Sequence, residues 1–78
     1  MPPAHKLDED GLAALAKKVR SATGKSRAQV ARELGVSRPA IFYAEEEPAK
    51  SLALLRKRII ETYSDYTVDG PVYLVRKK

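Results

Sequence analysis

The sequence predicts a mainly α fold, four helices followed by a short C-terminal strand or hairpin, and three observations carry it. Apolar residues recur at helical spacing in four stretches between positions 8 and 63. Glycine, serine and proline stand where those stretches end and begin. After Tyr63 the pattern changes to the β-branched and aromatic segments Tyr66-Thr67-Val68 and Val72-Tyr73-Leu74-Val75, placed around Asp69-Gly70-Pro71.

In the first stretch Leu12, Leu15, Ala16 and Val19 share one face, and Asp8, Glu9 and Asp10 sit where the positive end of a helix dipole favours acidic side chains. A helix is expected over 8–22, ended by Gly24. Ser26, with Gln29 three residues on, reads as a capping box opening a second helix whose inner face is Val30, Ala31 and Leu34. Gly35 follows at once, because glycine tolerates the positive φ that turns a chain sharply out of a helix, and Val36 then plugs the corner. Ser37 is the expected N-cap of a third helix, Pro39 fits its first turn, and Ile41 and Ala44 face inward until Pro48 limits the run. A fourth helix over about 49–63 buries Leu52, Leu55, Ile59 and Tyr63, with Arg56-Lys57-Arg58 largely on its outer faces.

The tail admits two arrangements. Pro71 cannot donate the hydrogen bond that closes a two-residue Asp-Gly turn, so a hairpin here needs a wider turn or a bulge. Alternatively the last strand pairs with its copy in a second subunit, making Val72, Tyr73, Leu74 and Val75 a dimerisation element. The homodimer is the preferred reading, and deleting 67–78 should then yield monomers. The chain thus divides into a flexible N-terminus (1–7), a helical domain (8–63) and a β extension (64–78).

Composition narrows the function. Seventy-eight residues support one core, and 44% apolar with 32% charged residues is a globular balance. With no cysteine and a single histidine, His5, neither disulfides nor thiolate metal sites staple the fold, and no metal or cofactor is expected. The same scarcity leaves nucleophile and base pairings few members, so no enzyme is expected. Gly24-Lys25-Ser26 has the look of a P-loop ending, but Val19 stands where that motif needs its first glycine and no strand precedes it. No apolar run reaches the roughly 20 residues that span a bilayer, and the N-terminus lacks a signal-peptide stretch, so a cytoplasmic protein without membrane contact is expected. The net charge of +5 favours a polyanionic partner. Between 25 and 44, Lys25, Arg27, Arg32 and Arg38 face only Glu33, which concentrates three of those five charges locally.

Residues 26–45 therefore read as two short helices meeting at a glycine turn, a helix-turn-helix, in which small Ala31 allows close approach while Val30, Leu34, Val36 and Ile41 fill the angle. Over roughly residues 10–63 the sequence resembles the DNA-binding domains of the Cro and phage-repressor family, often called XRE-like regulators. Arg20, four residues before Gly24, and Glu45, ten after Gly35, match positions where that family places a buried arginine–glutamate pair between first and third helices.

The resemblance implies a sequence-specific double-stranded DNA-binding regulator of transcription, a repressor in particular, that reads the major groove with helix 37–46 while the second helix crosses the phosphate backbone. Arg38 then pairs with guanine O6 and N7 through two parallel hydrogen bonds, or contacts a phosphate. Ser37 and Tyr43 face bases or phosphates, and Phe42 or the Pro39 ring meets a thymine methyl, with a core or dimer contact the alternative for Phe42. Arg27 matches a position that touches a phosphate or an outer base, with Lys25 and Ser26 beside it. Lys25 and Arg32 are alternatively surface charges, and Ser26 only a helix cap. Two features depart from the family pattern. Glu46 and Glu47 in the Glu45-Glu46-Glu47 run should point away from phosphates, and the tail after Tyr63 resembles the dimerising strand of Cro-like proteins, with Arg76-Lys77-Lys78 near a phosphate. The main alternative is an antitoxin, or another protein-binding module, whose helix-turn-helix represses its own operon while residues 66–78 hold a toxin by strand addition. A structural role in phage assembly or recombination is a third.

Overall fold

The structure, a computed structural model, describes residues 5–6, 8–69 and 74–78. Val72 and Tyr73, named above for dimerisation, and the Gly70-Pro71 turn lie outside the described residues. The order of elements is β1 (His5–Lys6), α1 (Glu9–Thr23), α2 (Arg27–Leu34), α3 (Arg38–Glu46), α4 (Ala53–Tyr63), β2 (Tyr66–Asp69) and β3 (Leu74–Lys77). Among the described residues no helix is long and apolar enough to cross a membrane.

Local chemistry sets the ends of the first three helices. The Asp8 carboxylate accepts the Gly11 amide at 2.7 Å, and Glu9 and Asp10 follow in the first turn of α1. α1 closes on Gly24 at φ 77°. The Ser26 hydroxyl accepts the Gln29 amide at 3.1 Å, whereas the Gln29 side chain turns to Glu33, so only half of the expected capping box forms. At the end of α2, Gly35 adopts φ 71°; its amide donates to Arg32 O and that of Val36 to Ala31 O at 3.0 Å. This is a Schellman turn, and it directs Val36 onto the core. Ser37 then caps α3 by accepting the Ala40 amide at 3.2 Å, with Pro39 in the first turn.

α4 starts four residues later than periodicity suggests. Lys50 N donates to Glu47 O and Leu52 N to Lys50 O, which closes residues 47–52 into turns before a helix begins, and Leu52 offers no side-chain cap. The phase of α4 also differs: Leu55, Arg56, Ile59 and Ile60 are buried, and Leu54 is 79% exposed. Arg56, placed on an outer face by the sequence, is 0% exposed. Its Nε donates to Ala44 O and its Nη2 to Glu47 O, each at 2.8 Å, so this guanidinium satisfies carbonyls at the C-terminus of α3 that the helix itself leaves unpaired.

One core joins all of these elements. Leu12 and Ala16 of α1, Val30, Ala31 and Leu34 of α2, Ile41 and Ala44 of α3, and Leu55, Ile59 and Ile60 of α4 pack with Val68 and Val75 of the sheet. The three strands are antiparallel in the order β1-β3-β2, with Val75 opposite His5 on one side and Val68 on the other. Two expectations are corrected here. His5 and Lys6 belong to the sheet rather than to a flexible N-terminus. Leu74 and Val75 have a partner strand on each side, so at these two residues β3 has no free edge for a second copy, and Val75, at 2% exposure, packs into the core rather than on a dimer surface. Leu74 alternates to the outside. The outer edge of β2 is blunted as well, because the Glu61 carboxylate accepts the Val68 amide at 2.9 Å and the Ser64 hydroxyl accepts the Tyr66 amide at 3.1 Å.

Deleting 67–78 should accordingly abolish the cooperative thermal transition seen by circular dichroism, since it strips Val68 and Val75 from the core. A truncated chain that still melts cooperatively at the wild-type temperature would show the sheet to be dispensable. Val68→Ala and Val75→Ala should each cost about 1 to 3 kcal/mol.

Candidate functional site

The outward face of α3 follows from which of its residues the core takes. Ile41, Ala44 and Glu45 turn inward, which leaves Arg38, Pro39, Phe42 and Tyr43 at positions i, i+1, i+4 and i+5 on one exposed stripe. Phe42 is 42% and Tyr43 38% exposed, so Phe42, for which the sequence leaves a core or dimer contact as open as a base contact, is on the surface and not in the core. The two rings meet edge to face, with centroids 5.6 Å apart and planes at 73°. A cation stands over each: the Arg27 guanidinium 5.1 Å from the Phe42 centroid and the Lys50 ammonium 4.9 Å from that of Tyr43. An open groove of about 350 Å³ is lined by Arg27, Arg38, Pro39, Phe42 and Tyr43. On the other side of the stripe a second, of about 500 Å³, is lined by Ser37, Pro39, Ala40, Tyr43, Lys50, Ser51 and Leu52.

Beneath the stripe lies an ion network that ties three helices together. The Glu45 side chain is completely buried. Its Oε2 accepts Arg20 Nε at 2.5 Å, and its Oε1 accepts both Arg20 Nη2 at 3.1 Å and Arg27 Nε at 2.9 Å. Arg20 Nη1 donates further to Lys25 O at 2.9 Å. One carboxylate of α3 thus holds α1 through Arg20 and α2 through Arg27. Glu46 extends the network outward, accepting Arg27 Nη2 at 2.7 Å and pairing with Lys17 at 2.6 Å. The hydrogen bond from Lys17 holds the Glu46 carboxyl below its usual value, with Arg27 adding to the effect.

The residues named from the sequence therefore differ in what they offer a ligand. Arg38 is exposed and, among the described residues, its side chain makes no hydrogen bond or ion pair within the chain. The Arg27 guanidinium, read as a phosphate contact, is occupied by two carboxylates and stacked on Phe42. Lys25 pairs with Glu33 at 2.9 Å and lies 5.9 Å from the Tyr63 centroid. The Ser26 and Ser37 hydroxyls accept cap hydrogen bonds and retain their own hydrogens as donors. Glu46 turns back toward Lys17 and Arg27. Lys50 was not singled out from the sequence; its place beside Tyr43 depends on the path of the turns at 47–52, which no periodicity encodes.

A second polar junction links α4 to α2. Tyr63 donates its phenolic hydrogen to Glu33 Oε1 at 2.5 Å. Burial, reinforced by that hydrogen bond to a carboxylate, pushes the Tyr63 phenol up to about 12. Glu33 is held below the ordinary carboxylate value, first by Tyr63 and then by Lys25. Because the folded phenol ionises above its unfolded value of 10.0, its contribution to stability is complete below pH 10 and is lost as pH rises toward 12. Urea midpoints of the wild type should therefore fall more steeply between pH 10 and 12 than those of Tyr63→Phe. Parallel slopes would remove Tyr63 from the account of alkaline stability.

No family model, no curated protein and no solved structure matches the chain.

Proposed function

We propose that the protein binds double-stranded DNA in a sequence-specific manner and regulates transcription, as a repressor, with α3 lying in the major groove. The observation that carries this reading is the exposed α3 stripe, on which an unpaired arginine stands beside a proline and two aromatic rings at the N-terminal end of a helix that follows a tight glycine turn. Such a stripe presents the donors and apolar surface that base edges require. The buried carboxylate of Glu45 supports it by fixing α3 against α1 and α2, so that little ordering is left to binding. The resemblance to Cro and phage-repressor domains points the same way. Such a regulator works in the cytoplasm, and as a homodimer it reads a palindrome whose half-site centres lie about 34 Å apart, one helical turn. A dimer built on Leu74 and Val75 is disfavoured, because β1 and β2 already pair with both of them within the chain.

Fluorescence anisotropy with the DNA upstream of the gene and with a scrambled duplex, each at low and physiological salt, tests the reading. Preference for the upstream duplex that survives added salt is the expected result, because nonspecific phosphate binding falls steeply with salt. Arg38→Ala should cost about 1 to 3 kcal/mol at one base position and relax the preference there. A uniform loss across sequences would make Arg38 a phosphate contact. No binding at either salt would defeat the proposal in favour of a protein-binding module. For an antitoxin the strand-addition route is disfavoured, since the outward amides of Tyr66 and Val68 on β2 are already bonded within the chain.

A further inference from the structure

We infer that the groove along α3 reads a pyrimidine C5-methyl group next to a guanine, so that recognition depends on a thymine–guanine step rather than on guanine alone. The inference rests on the DNA-binding reading above and specifies its ligand. Of the two guanidiniums lining the groove, only Arg38 is unpaired, because Arg27 is matched by Glu45 and Glu46. One free guanidinium beside an apolar wall is poorly suited to a chain of phosphates, each of which asks for charge. It suits a base edge that presents one pair of acceptors, O6 and N7 of guanine, flanked by something apolar.

The wall supplies the second half. Arg38 and Phe42 are one turn apart, so their side chains are neighbours on the helix surface, and Pro39 lies between them on the same stripe. An exposed phenylalanine normally samples several rotamers. Here its ring is bracketed by the Arg27 guanidinium at 5.1 Å and by the edge-to-face contact with Tyr43 at 5.6 Å. Arg27 thereby becomes a positioning residue: Glu45 and Glu46 hold its guanidinium, which in turn holds the ring. In the major groove the apolar feature on a base edge is the thymine C5-methyl, shared by 5-methylcytosine. A methyl adjacent to the guanine taken by Arg38 meets the Phe42–Pro39 wall.

The experiment begins with duplexes enriched by the full-length protein from a random pool. Each thymine in the enriched site is then replaced by deoxyuridine, which removes the methyl and leaves every hydrogen-bonding group in place. Affinity should fall about fourfold at one position next to a guanine, the worth of one buried methyl group. That loss should vanish in Phe42→Ala, persist in Phe42→Leu, and shrink in Arg27→Gln, with circular dichroism showing each variant folded. Enrichment of a site with no deoxyuridine effect, or an effect undiminished in Phe42→Ala, would overturn the inference while leaving DNA binding intact. Failure to enrich any duplex would overturn both.

Discussion

Glu45→Gln should lower stability by about 3 to 5 kcal/mol, enough to leave a domain of this size largely unfolded at physiological temperature. The carboxylate is fully buried and answers two guanidiniums, Arg20 from α1 and Arg27 from α2. Glutamine keeps the volume but removes the charge, so the Arg20 side chain, only 12% exposed, is left in a poorly solvated site facing a neutral amide. Because 1 kcal/mol shifts the melting temperature of a domain this small by roughly 4 to 8 °C, a drop of well over ten degrees is expected in a thermal melt. Arg20→Ala should approach the same loss, since it leaves the buried anion with Arg27 alone. Arg27→Ala should cost less, because that side chain is 30% exposed and water can take its place on the carboxylate. Unchanged melting temperatures in both Glu45→Gln and Arg20→Ala would show that the network does not hold the helices together.

Arg56 carries the second large effect. Its side chain is fully buried and donates to two carbonyls at the end of α3, Ala44 O and Glu47 O. Arg56→Ala should cost about 3 kcal/mol or more, from two lost charge-assisted hydrogen bonds, the Ala44 carbonyl left without a donor, and the cavity left by the largest fully buried side chain. The conservative change should be little better. A lysine ammonium is a single point that cannot replace the planar fork reaching both carbonyls, and it remains a buried charge. Arg56→Met fills the volume and also removes Nη1, which has no partner among the described residues, so methionine should be the least damaging of the three. Urea denaturation gives the order directly. A lysine variant as stable as wild type would mean that charge alone, not the fork, is what α3 needs.

The two residues illustrate how unevenly the fold is legible. The caps at Ser26 and Ser37, the acidic entry at Asp8 and the turns at Gly24 and Gly35 can be read from the sequence because each depends on contacts within three to five residues. The start of α4 lacks such a signal, since Leu52 cannot cap, and extrapolating its apolar spacing backward places it too early. The apolar spacing of Leu52, Leu55, Ile59 and Tyr63 places Arg56 outward, and its partners are carbonyls at the end of another helix that carry no mark in the sequence. Arg20 and Glu45 were singled out only by resemblance to a family; 25 residues separate them, and nothing local indicates that Arg27 would join them.

The sequence by itself determined the four helices, the glycine turn between the second and third, and the outward side of the third helix at Arg38, Pro39 and Tyr43, because helical period and capping are local properties of the chain, whereas the exposure of Phe42 was decided by packing. Only the tertiary structure decided which cations are free. Lys25, Arg27, Arg38 and Arg56 look alike in a list of basic residues, yet packing gives three of them carboxylate or carbonyl partners and leaves Arg38 exposed without one. It also placed β3 between β1 and β2, turning a segment read as a dimer edge into the centre of a sheet. The physical reason is common to both. Ion pairs and strand partners are chosen by proximity across long stretches of chain, and that proximity is set by how the core closes.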